Sequence, residues 1–298
     1  MEFNYDFTGL LPVSIAEISR EWLREDTPSL DIGGFVVGAE EQTAQILFKT
    51  TGVLAGRPFA DAIFAELNCS TEWLVPEGSE LNTDGPAKLC VAIVKGRCCD
   101  LLKAERVALN VLSRASGVAT IARRVRKIAL GIAWQGEVAG TRKTTPGFRL
   151  VEKYALLVGG ISMHRNDLSG MVMLKDNHIW STGSITTAVK KARLAAGFTT
   201  KIEVECQDES EALEACAAGA DIVMLDNTTD ITLLNADAGR IKAAFPHIIV
   251  EASGGITLDN IETYMQPNVD VISSSMFTQG YSCMDISMKI SREMGNVC

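Results

Sequence analysis

The chain has 298 residues, of which 47% are hydrophobic and 22% charged, a composition typical of a folded globular protein rather than a disordered one. No run of about 18 apolar residues occurs, so no transmembrane helix is expected. The acidic N-terminus has no basic residue before Arg20 and so lacks the early positive charge of a signal or transit peptide.

The net charge of −9 is unevenly distributed along the chain. Basic minus acidic residues gives −9 for residues 1–96 (6 against 15), +8 for 97–180 (14 against 6) and −8 for 181–298 (8 against 16). An acidic protein of this kind is a poor candidate for general nucleic-acid binding. The basic middle segment favours a local site for a small anionic ligand, although part of it is explained by a solvated helix surface at 123–127.

The eight cysteines are dispersed, none forms a Cys-x-x-Cys pair, and the three histidines have no spacing to cysteine that is typical of zinc. We therefore expect neither a disulfide framework nor a structural zinc, and we expect reduced thiols in a cytoplasmic protein.

Residues 1–115 predict an N-terminal α+β module. A helix is expected over 10–26, with Ser14 as its N-cap and Glu17 completing a capping box. Helical runs are also predicted at Leu101–Leu112 and Gly117–Leu130. Strand-like segments separated by glycine, proline and asparagine lie between these helices, at 33–38, 44–50, 70–79 and 89–96.

Residues 116–277 alternate between apolar, β-branched runs and helical patterns, which predicts βα units and a parallel sheet. Helices are expected at 148–157, 184–196, 209–218 and 234–245. Six strands are expected at 136–141, 171–174, 201–205, 221–225, 247–251 and 269–273, with a possible short one near 160–163.

Polar or charged residues end five successive strands, which favours an incomplete barrel over an open sheet, because all strand ends of a barrel open onto one face. The tail 278–298 is expected to pack on the N-terminal module and to contain a helix at Asp285–Met294.

The residues that follow the predicted strands are the candidate catalytic and ligand-binding residues. Arg142 and Lys143 are possible anion ligands, and Lys175 is either an anion ligand or a Schiff-base nucleophile. Glu205 and Asp226 could share a metal, accept the hydroxyls of a ribose, or pair with Lys175.

One glycine-rich loop is a candidate anion site. Glu251-Ala-Ser-Gly-Gly-Ile-Thr257 leads from a strand to a predicted helix start at Thr257, and its glycines leave backbone N–H groups open to a phosphate. A tight turn is the alternative interpretation. Neither a Rossmann fingerprint nor a P-loop is present. His164 and Arg165 precede the strand at 171–174 and are expected at the same face of the barrel as the strand ends. His178 and His247 are interpreted as structural.

Many cations, two acids and no nucleophile beside a base indicate a highly anionic substrate, such as a phosphorylated sugar with a carboxylated partner. Two alternatives stay open at this point: an aldolase-like barrel that uses Lys175 as a Schiff base, and an anion sensor that binds without turnover.

The sequence resembles the quinolinate phosphoribosyltransferase family, closest to its eukaryotic members. The resemblance extends from about residue 10 to 290. It is carried by ordered segments at 105–110, 140–147, 150–154, 164–165, 175–178, 202–205, 225–227 and 251–256.

The resemblance implies an N-terminal sandwich, an incomplete barrel of about seven strands, and Mg²⁺ as cofactor. It also implies the transfer of phosphoribose from phosphoribosyl pyrophosphate to quinolinate in de novo NAD biosynthesis. The products are nicotinate mononucleotide, pyrophosphate and carbon dioxide.

By resemblance, Lys143, Lys175, Glu205 and Asp226 are catalytic, and Glu205 and Asp226 are associated with the metal. Ser275 stands where many relatives have glycine, which bears on its backbone contact to phosphate. Arg106 is implied to reach a neighbouring subunit's site, so we expect at least a dimer and allow a hexamer. The implied substrate-binding set is Arg106, Thr141, Arg142, Lys143, His164, Arg165, Lys175, Glu205, Asp226, Ser253, Gly254, Gly255 and Ser275.

Overall fold

The computed structural model describes residues 6–83 and 88–291, which form two compact units. The second unit contains Arg124–Arg149 and Ile161–Gly280. The first contains the described residues of Met1–Arg123, Leu150–Gly160 and Tyr281–Cys298. The units divide after Arg123 and after Gly280, where boundaries at 115 and 277 are predicted, and Leu150–Gly160 groups separately with the first unit.

In chain order the first elements are a 3-10 helix (Thr8–Leu10), α1 (Ile15–Asp26), α2 (Ile32–Val37), β1 (Glu41–Phe48), β2 (Gly52–Val53), α3 (Arg57–Glu66), β3 (Ser70–Trp73), β4 (Glu80–Leu81), β5 (Leu89–Arg97) and α4 (Cys98–Gly131). The remaining elements are β6 (Glu137–Gly140), α5 (Arg149–Gly159), β7 (Val172–Leu174), α6 (Asp176–Thr182), α7 (Ile185–Ala196), β8 (Ile202–Cys206), α8 (Glu209–Ala218), β9 (Ile222–Asp226), α9 (Ile231–Ala244), β10 (Ile249–Ser253), α10 (Ile261–Tyr264), β11 (Val271–Ser274) and β12 (Ile286–Ile290).

The first unit is built on an antiparallel sheet with the strand order β12-β1-β5-β3. Alternate residues of β1, namely Ala44, Ile46 and Phe48, are fully buried, as expected of a strand that covers a core with one face. The helix predicted at Asp285–Met294 is wrong within the described residues, since 286–290 forms β12. Residues 292–294 of that prediction lie outside the described residues.

Two further local predictions in the first unit are wrong. The segment 33–38 is mostly helical, because the Asp31 side chain accepts a hydrogen bond from the Gly34 N–H (2.9 Å) and caps α2. At α1 the Ser14 side chain makes no capping bond. Its backbone is already helical (φ −72°, ψ −1°), which is not the extended conformation of a capping serine.

The two helical runs predicted on either side of residue 116 are one helix, α4, of 34 residues. Gly117 does not interrupt it. A Cβ at this position would lie 2.3 Å from the Ser282 carbonyl oxygen, so glycine allows the returning chain to approach the helix. Ser113 lies one helical turn before Gly117. Its hydroxyl donates to the Met284 carbonyl and helps to hold the returning segment against α4.

The second unit contains a parallel sheet with the strand order β6-β11-β10-β9-β8-β7. Its first strand, β6, lies beside its last, β11, as closure of a sheet on itself requires. On the other side of β6, Ala139 forms a parallel bridge with Ser162, at the position of the possible short strand near 160–163. The predicted α/β class with an N-terminal sheet domain is confirmed, and the six-stranded parallel sheet is compatible with the predicted incomplete barrel. The described pairings leave its opening between Ser162 and β7.

Apolar residues such as Val204, Val223 and Val250 are fully buried in this sheet. Three of its outer helices begin at capped residues, since the side chains of Ser184, Asp208 and Asp230 accept backbone N–H bonds at α7, α8 and α9. Among the described residues no helix is both long and apolar enough to cross a membrane. None of the seven described cysteines forms a disulfide.

Candidate active site

A cavity of about 660 Å³ lies at the carboxyl ends of the parallel strands of the second unit. Twelve of the thirteen residues predicted for substrate binding line it: Thr141, Arg142, Lys143, His164, Arg165, Lys175, Glu205, Asp226, Ser253, Gly254, Gly255 and Ser275. Arg106 does not line it and is exposed on α4 in the first unit. The fold therefore brings the second-unit candidates together.

The segment after β6 supplies two cations. The Thr141 hydroxyl accepts the Lys143 N–H (3.2 Å), and the Lys143 carbonyl accepts the Thr278 hydroxyl (2.9 Å), which fixes the backbone of this turn. The Arg142 Nε is buried and has no hydrogen-bond partner within the part of the chain that the structure describes. A buried guanidinium donor without a partner is costly, and a negatively charged ligand would satisfy it.

Arg165 provides a third cation close to Arg142. Its guanidinium donates to the Met171 carbonyl (3.3 Å) and contacts the Met173 sulfur (3.3 Å). Burial lowers the pKa of Arg165, and the neighbouring Arg142 guanidinium lowers it further. Two guanidiniums that repel each other across a cavity provide an attractive site for the carboxylates or phosphates of a ligand.

Lys175, the fourth cation, follows β7 and forms an ion pair with Glu205 of the adjacent strand β8. This ion pair engages the Lys175 side chain with a carboxylate, whereas a Schiff-base lysine is activated in an apolar pocket or beside another cation. The geometry therefore does not support the alternative in which Lys175 forms a Schiff base. The Lys175 N–H donates to the His178 ring (3.1 Å), in keeping with a structural role for His178.

Asp226 ends β9 and faces Glu205. Burial raises the pKa of Asp226 and the Glu205 carboxylate raises it further, whereas Lys175 and Lys143 oppose the shift. Asn227 donates from its side-chain amide to the Asp226 carboxylate (2.6 Å). Two neighbouring carboxylates form an oxygen donor set suited to a hard cation such as Mg²⁺.

The loop after β10 has the backbone expected of an anion site. Gly254 and Gly255 have φ values of +92° and +63°, and a Cβ on Gly254 would lie 2.4 Å from the Asn227 amide oxygen. The predicted helix start at Thr257 is wrong. The Thr257 N–H donates to the Asn260 side chain (2.8 Å), and the helix α10 begins at Ile261. Any phosphate contact here must therefore come from the loop itself rather than from a helix dipole.

Ser275 follows β11 and lines the cavity. Its carbonyl accepts the N–H groups of Thr278 (3.1 Å) and Gln279 (2.9 Å). Its φ is not positive, so the backbone does not require the glycine that many relatives are expected to carry.

Two buried carboxyl groups were not among the predicted site residues. Glu203 and Glu251 are 0% and 1% exposed and lie two residues before Glu205 and Ser253 on their strands. Burial raises the pKa of Glu203 to about 9, and the Glu251 carboxylate contributes to the rise. The two-residue period of a strand could have identified them, because residues i and i+2 face the same side.

Family models decide between the remaining interpretations. The model described as quinolinate phosphoribosyl transferase, C-terminal domain, matches residues 118–289, and the corresponding N-terminal domain matches residues 31–116. The chain belongs to the quinolinate phosphoribosyltransferase family. It is thus an enzyme, a phosphoribosyltransferase of NAD biosynthesis, and neither an aldolase nor a sensor.

Relatives and solved structures agree with this family. The nicotinate-nucleotide pyrophosphorylase [carboxylating] of Rattus norvegicus is 52% identical over 284 residues, covering 95% of this chain and 93% of the relative. The human enzyme of the same name is 51% identical, covering 94% and 93%. The structure of the nicotinate-nucleotide pyrophosphorylase from Francisella tularensis matches with a TM-score of 0.84 at 31% identity, covering 97% of this chain and all of that one.

Proposed function

We propose that the cavity of the second unit binds quinolinate and phosphoribosyl pyrophosphate and joins them to give nicotinate mononucleotide, pyrophosphate and carbon dioxide. The observation that carries this proposal is the convergence of four cations and two carboxylates from separate strand ends on one cavity. A substrate pair with two carboxylates and several phosphate groups needs such an excess of positive charge.

The residues divide by chemistry. Arg142 and Arg165 are suited to the quinolinate carboxylates, because guanidinium binds carboxylate through two parallel hydrogen bonds. Ser253, Gly254, Gly255 and Ser275 are suited to the phosphate of the ribose. Glu205 and Asp226 can accept hydrogen bonds from ribose hydroxyls.

The reaction needs electrostatic stabilisation more than covalent catalysis. When pyrophosphate leaves, C1 of the ribose becomes positively charged, while negative charge accumulates on the leaving group, where Lys143 and Lys175 can stabilise it. The quinolinate nitrogen attacks C1. The positively charged pyridinium then stabilises the electron pair that stays on the ring carbon when the adjacent carboxylate departs as carbon dioxide, and this carbon takes up a proton from solvent to give nicotinate mononucleotide. Lys143, Lys175, Glu205 and Asp226 are accordingly the proposed catalytic residues.

Mg²⁺ is the proposed cofactor, held by Glu205 and Asp226, directly or through the phosphates of the substrate. When bound, it would neutralise charge on the pyrophosphate group. The support for this assignment is the proximity of the two carboxylates at the ends of adjacent strands.

The activity is tested by incubating the protein with quinolinate, phosphoribosyl pyrophosphate and Mg²⁺. We expect nicotinate mononucleotide to form together with carbon dioxide. No product at high enzyme concentration would contradict the proposal. Omitting Mg²⁺ with a chelator present should abolish turnover, and full activity without the ion would contradict the metal assignment.

The carboxylate-binding role is tested by Arg142→Ala. We expect the KM for quinolinate to rise by about tenfold to a hundredfold, since a charge-assisted contact contributes roughly 1.5–3 kcal/mol. Lys143→Ala should instead lower kcat more than it raises the KM for quinolinate, because Lys143 is proposed to stabilise the charge that develops on the leaving pyrophosphate. Arg240→Ala is the matched control, because Arg240 pairs with Glu209 on the helical layer and does not line the cavity.

We further propose that the enzyme is a homo-oligomer, at least a dimer and possibly a hexamer, in which Arg106 acts in a neighbouring subunit's site. This proposal is supported by the exposure of Arg106 on α4. We also propose a cytoplasmic location, supported by the absence of disulfides among the described cysteines.

A further inference from the structure

The carboxyl pair Glu203 and Glu251 has no role in the mechanism above. Both side chains are buried, and three of their four oxygen atoms, Glu203 Oε1 and Oε2 and Glu251 Oε1, have no hydrogen-bond partner among the described residues. The fourth, Glu251 Oε2, lies 3.0 Å from His164 Nε2. Glu203 Oε2 is 3.8 Å from the same nitrogen, which is too far for a hydrogen bond.

The hydrogen bonds of His164 fix where its ring proton lies. The Nδ1 atom accepts the backbone N–H of Arg165 (2.9 Å), so it carries no proton. The proton of the neutral ring is therefore on Nε2 and is donated to Glu251. Both ring nitrogens are thus engaged within the protein, and neither is left to bind a substrate directly.

A metal site is the competing interpretation of this cluster. One ligand atom from each of His164, Glu203 and Glu251 can be chosen so that all lie within 4.8 Å of one another. A metal at Nε2, however, needs a lone pair there, and the proton that Nδ1 cannot hold occupies that position. The geometry therefore favours a hydrogen-bonded chain over a metal centre.

The series of hydrogen bonds from Glu251 through His164 ends at Arg165, which lines the cavity. His164 has a left-handed backbone (φ +54°), which non-glycine residues adopt at a cost. The bond from the Arg165 N–H to the His164 ring ties the backbone of Arg165 to a ring that is anchored in the interior. This anchor holds the Arg165 guanidinium toward the cavity, where the nearby Arg142 guanidinium repels it.

We propose that Glu251 is a positioning residue that fixes the tautomer and orientation of His164 and thereby places Arg165 for the quinolinate carboxylate. The proposal rests on the substrate-binding role proposed above for Arg165. It assigns His164 a role between Glu251 and Arg165 rather than a direct contact with substrate.

Kinetics of paired variants test the proposal. Glu251→Ala removes the acceptor, and we expect the KM for quinolinate to rise at least about tenfold, with a smaller change in kcat and in the KM for phosphoribosyl pyrophosphate. Glu251→Gln keeps an oxygen that can accept the Nε2 proton and should restore most of the affinity. Asp237→Asn is the control, because Asp237 is a buried carboxylate of the same unit that pairs with Arg240 outside the cavity.

Nitrogen NMR of the imidazole rings provides a readout that does not depend on activity. The chain has three histidines, so His164→Asn identifies the signals of His164 in the intact enzyme. We expect a proton on Nε2 and none on Nδ1, unchanged by a chelator and kept in Glu251→Gln. A ring protonated on Nδ1, or a metal retained at one ion per chain and lost in Glu251→Gln, would overturn the proposal.

Arg165→Ala separates failure of this proposal from failure of the site assignment. If Arg165→Ala raises the KM for quinolinate but Glu251→Ala does not, Arg165 binds substrate and the positioning role of Glu251 is wrong. If Arg165→Ala leaves that KM unchanged, the substrate role of Arg165 is wrong, and the proposal fails with it.

Discussion

Gly254 and Asn227 fit together at the cavity mouth. Asn227 has a left-handed backbone (φ +56°), and its N–H donates to the Ser253 carbonyl (2.9 Å). Its amide group lies against the Cα of Gly254 and also reaches Asp226. The phosphate loop and the carboxylate of the neighbouring strand are therefore coupled through one side chain.

Gly254→Ala tests this coupling. A methyl group would lie 2.4 Å from the Asn227 amide oxygen, so we expect Asn227 to move and the KM for phosphoribosyl pyrophosphate to rise about tenfold or more. Gly183→Ala is the matched control, since Gly183 has nearly the same φ (+91°) but nothing within 4 Å of the added atom. Backbone strain alone would lower stability in both variants, and equal kinetics would contradict the coupling.

At the scale of elements, Glu77 caps the start of α3. Its carboxylate accepts the N–H groups of Gly56 (2.6 Å) and Arg57 (3.3 Å). Burial raises the pKa of Glu77 to about 7. The cap is thus a carboxyl group that holds its proton more tightly in the folded protein than in the unfolded chain.

This difference in pKa makes stability depend on pH. The raised pKa of Glu77 stabilises the folded state. This stabilisation is fully present below pH 4.5, the ordinary pKa of the group, and is lost as the pH rises through about 7. We expect the free energy of unfolding to fall between pH 5 and 8 relative to Glu77→Gln, by at most about 1.4 kcal/mol per pH unit. Urea unfolding of both proteins measures it. Glu72→Gln, an exposed site on β3, is the control, and a constant difference between wild type and Glu77→Gln would refute the prediction.

The glycines of α4 offer a second test at this scale. Gly117→Ala places a methyl group 2.3 Å from the Ser282 carbonyl oxygen and should lower the free energy of unfolding by about 1–3 kcal/mol. Gly131→Ala, in the same helix with nothing within 4 Å, should be neutral or stabilising by up to about 1 kcal/mol. Equal effects in thermal unfolding would show that Gly117 is not a close-approach residue.

Local pattern predicted the βα elements of the second unit well, because each apolar run is short and each ends in polar residues such as Lys175. It failed where a distant partner decides the structure. The residues 286–290 become a strand only because β1 lies beside them, and pairs separated by more than 200 residues leave no local signal. The contact of Glu251 with His164 likewise joins residues 87 apart and leaves no local signal, although the two-residue period of β10 places Glu251 on the same face as Ser253.

At the scale of the whole molecule, the proposed role of Arg106 is tested by mixing two inactive variants. If Arg106 acts across a subunit boundary, hybrid dimers of Arg106→Ala with Lys175→Ala contain one intact site. We expect about a quarter of the wild-type activity after subunit exchange in an equal mixture. A mixture that stays inactive although hybrids form would place Arg106 in the site of its own chain.

Because β12 lies late in the sequence, the antiparallel sheet of the first unit can be completed only after almost all of the chain has been synthesised. A ribosome releases β1 and β5 early, then makes the whole second unit before residues 286–290 emerge. Until then β1, whose Phe48 will be fully buried, is an open sheet edge that can pair with another chain. The first unit to begin synthesis is therefore the last to be finished, and a nascent chain cut short before β12 leaves that edge uncovered.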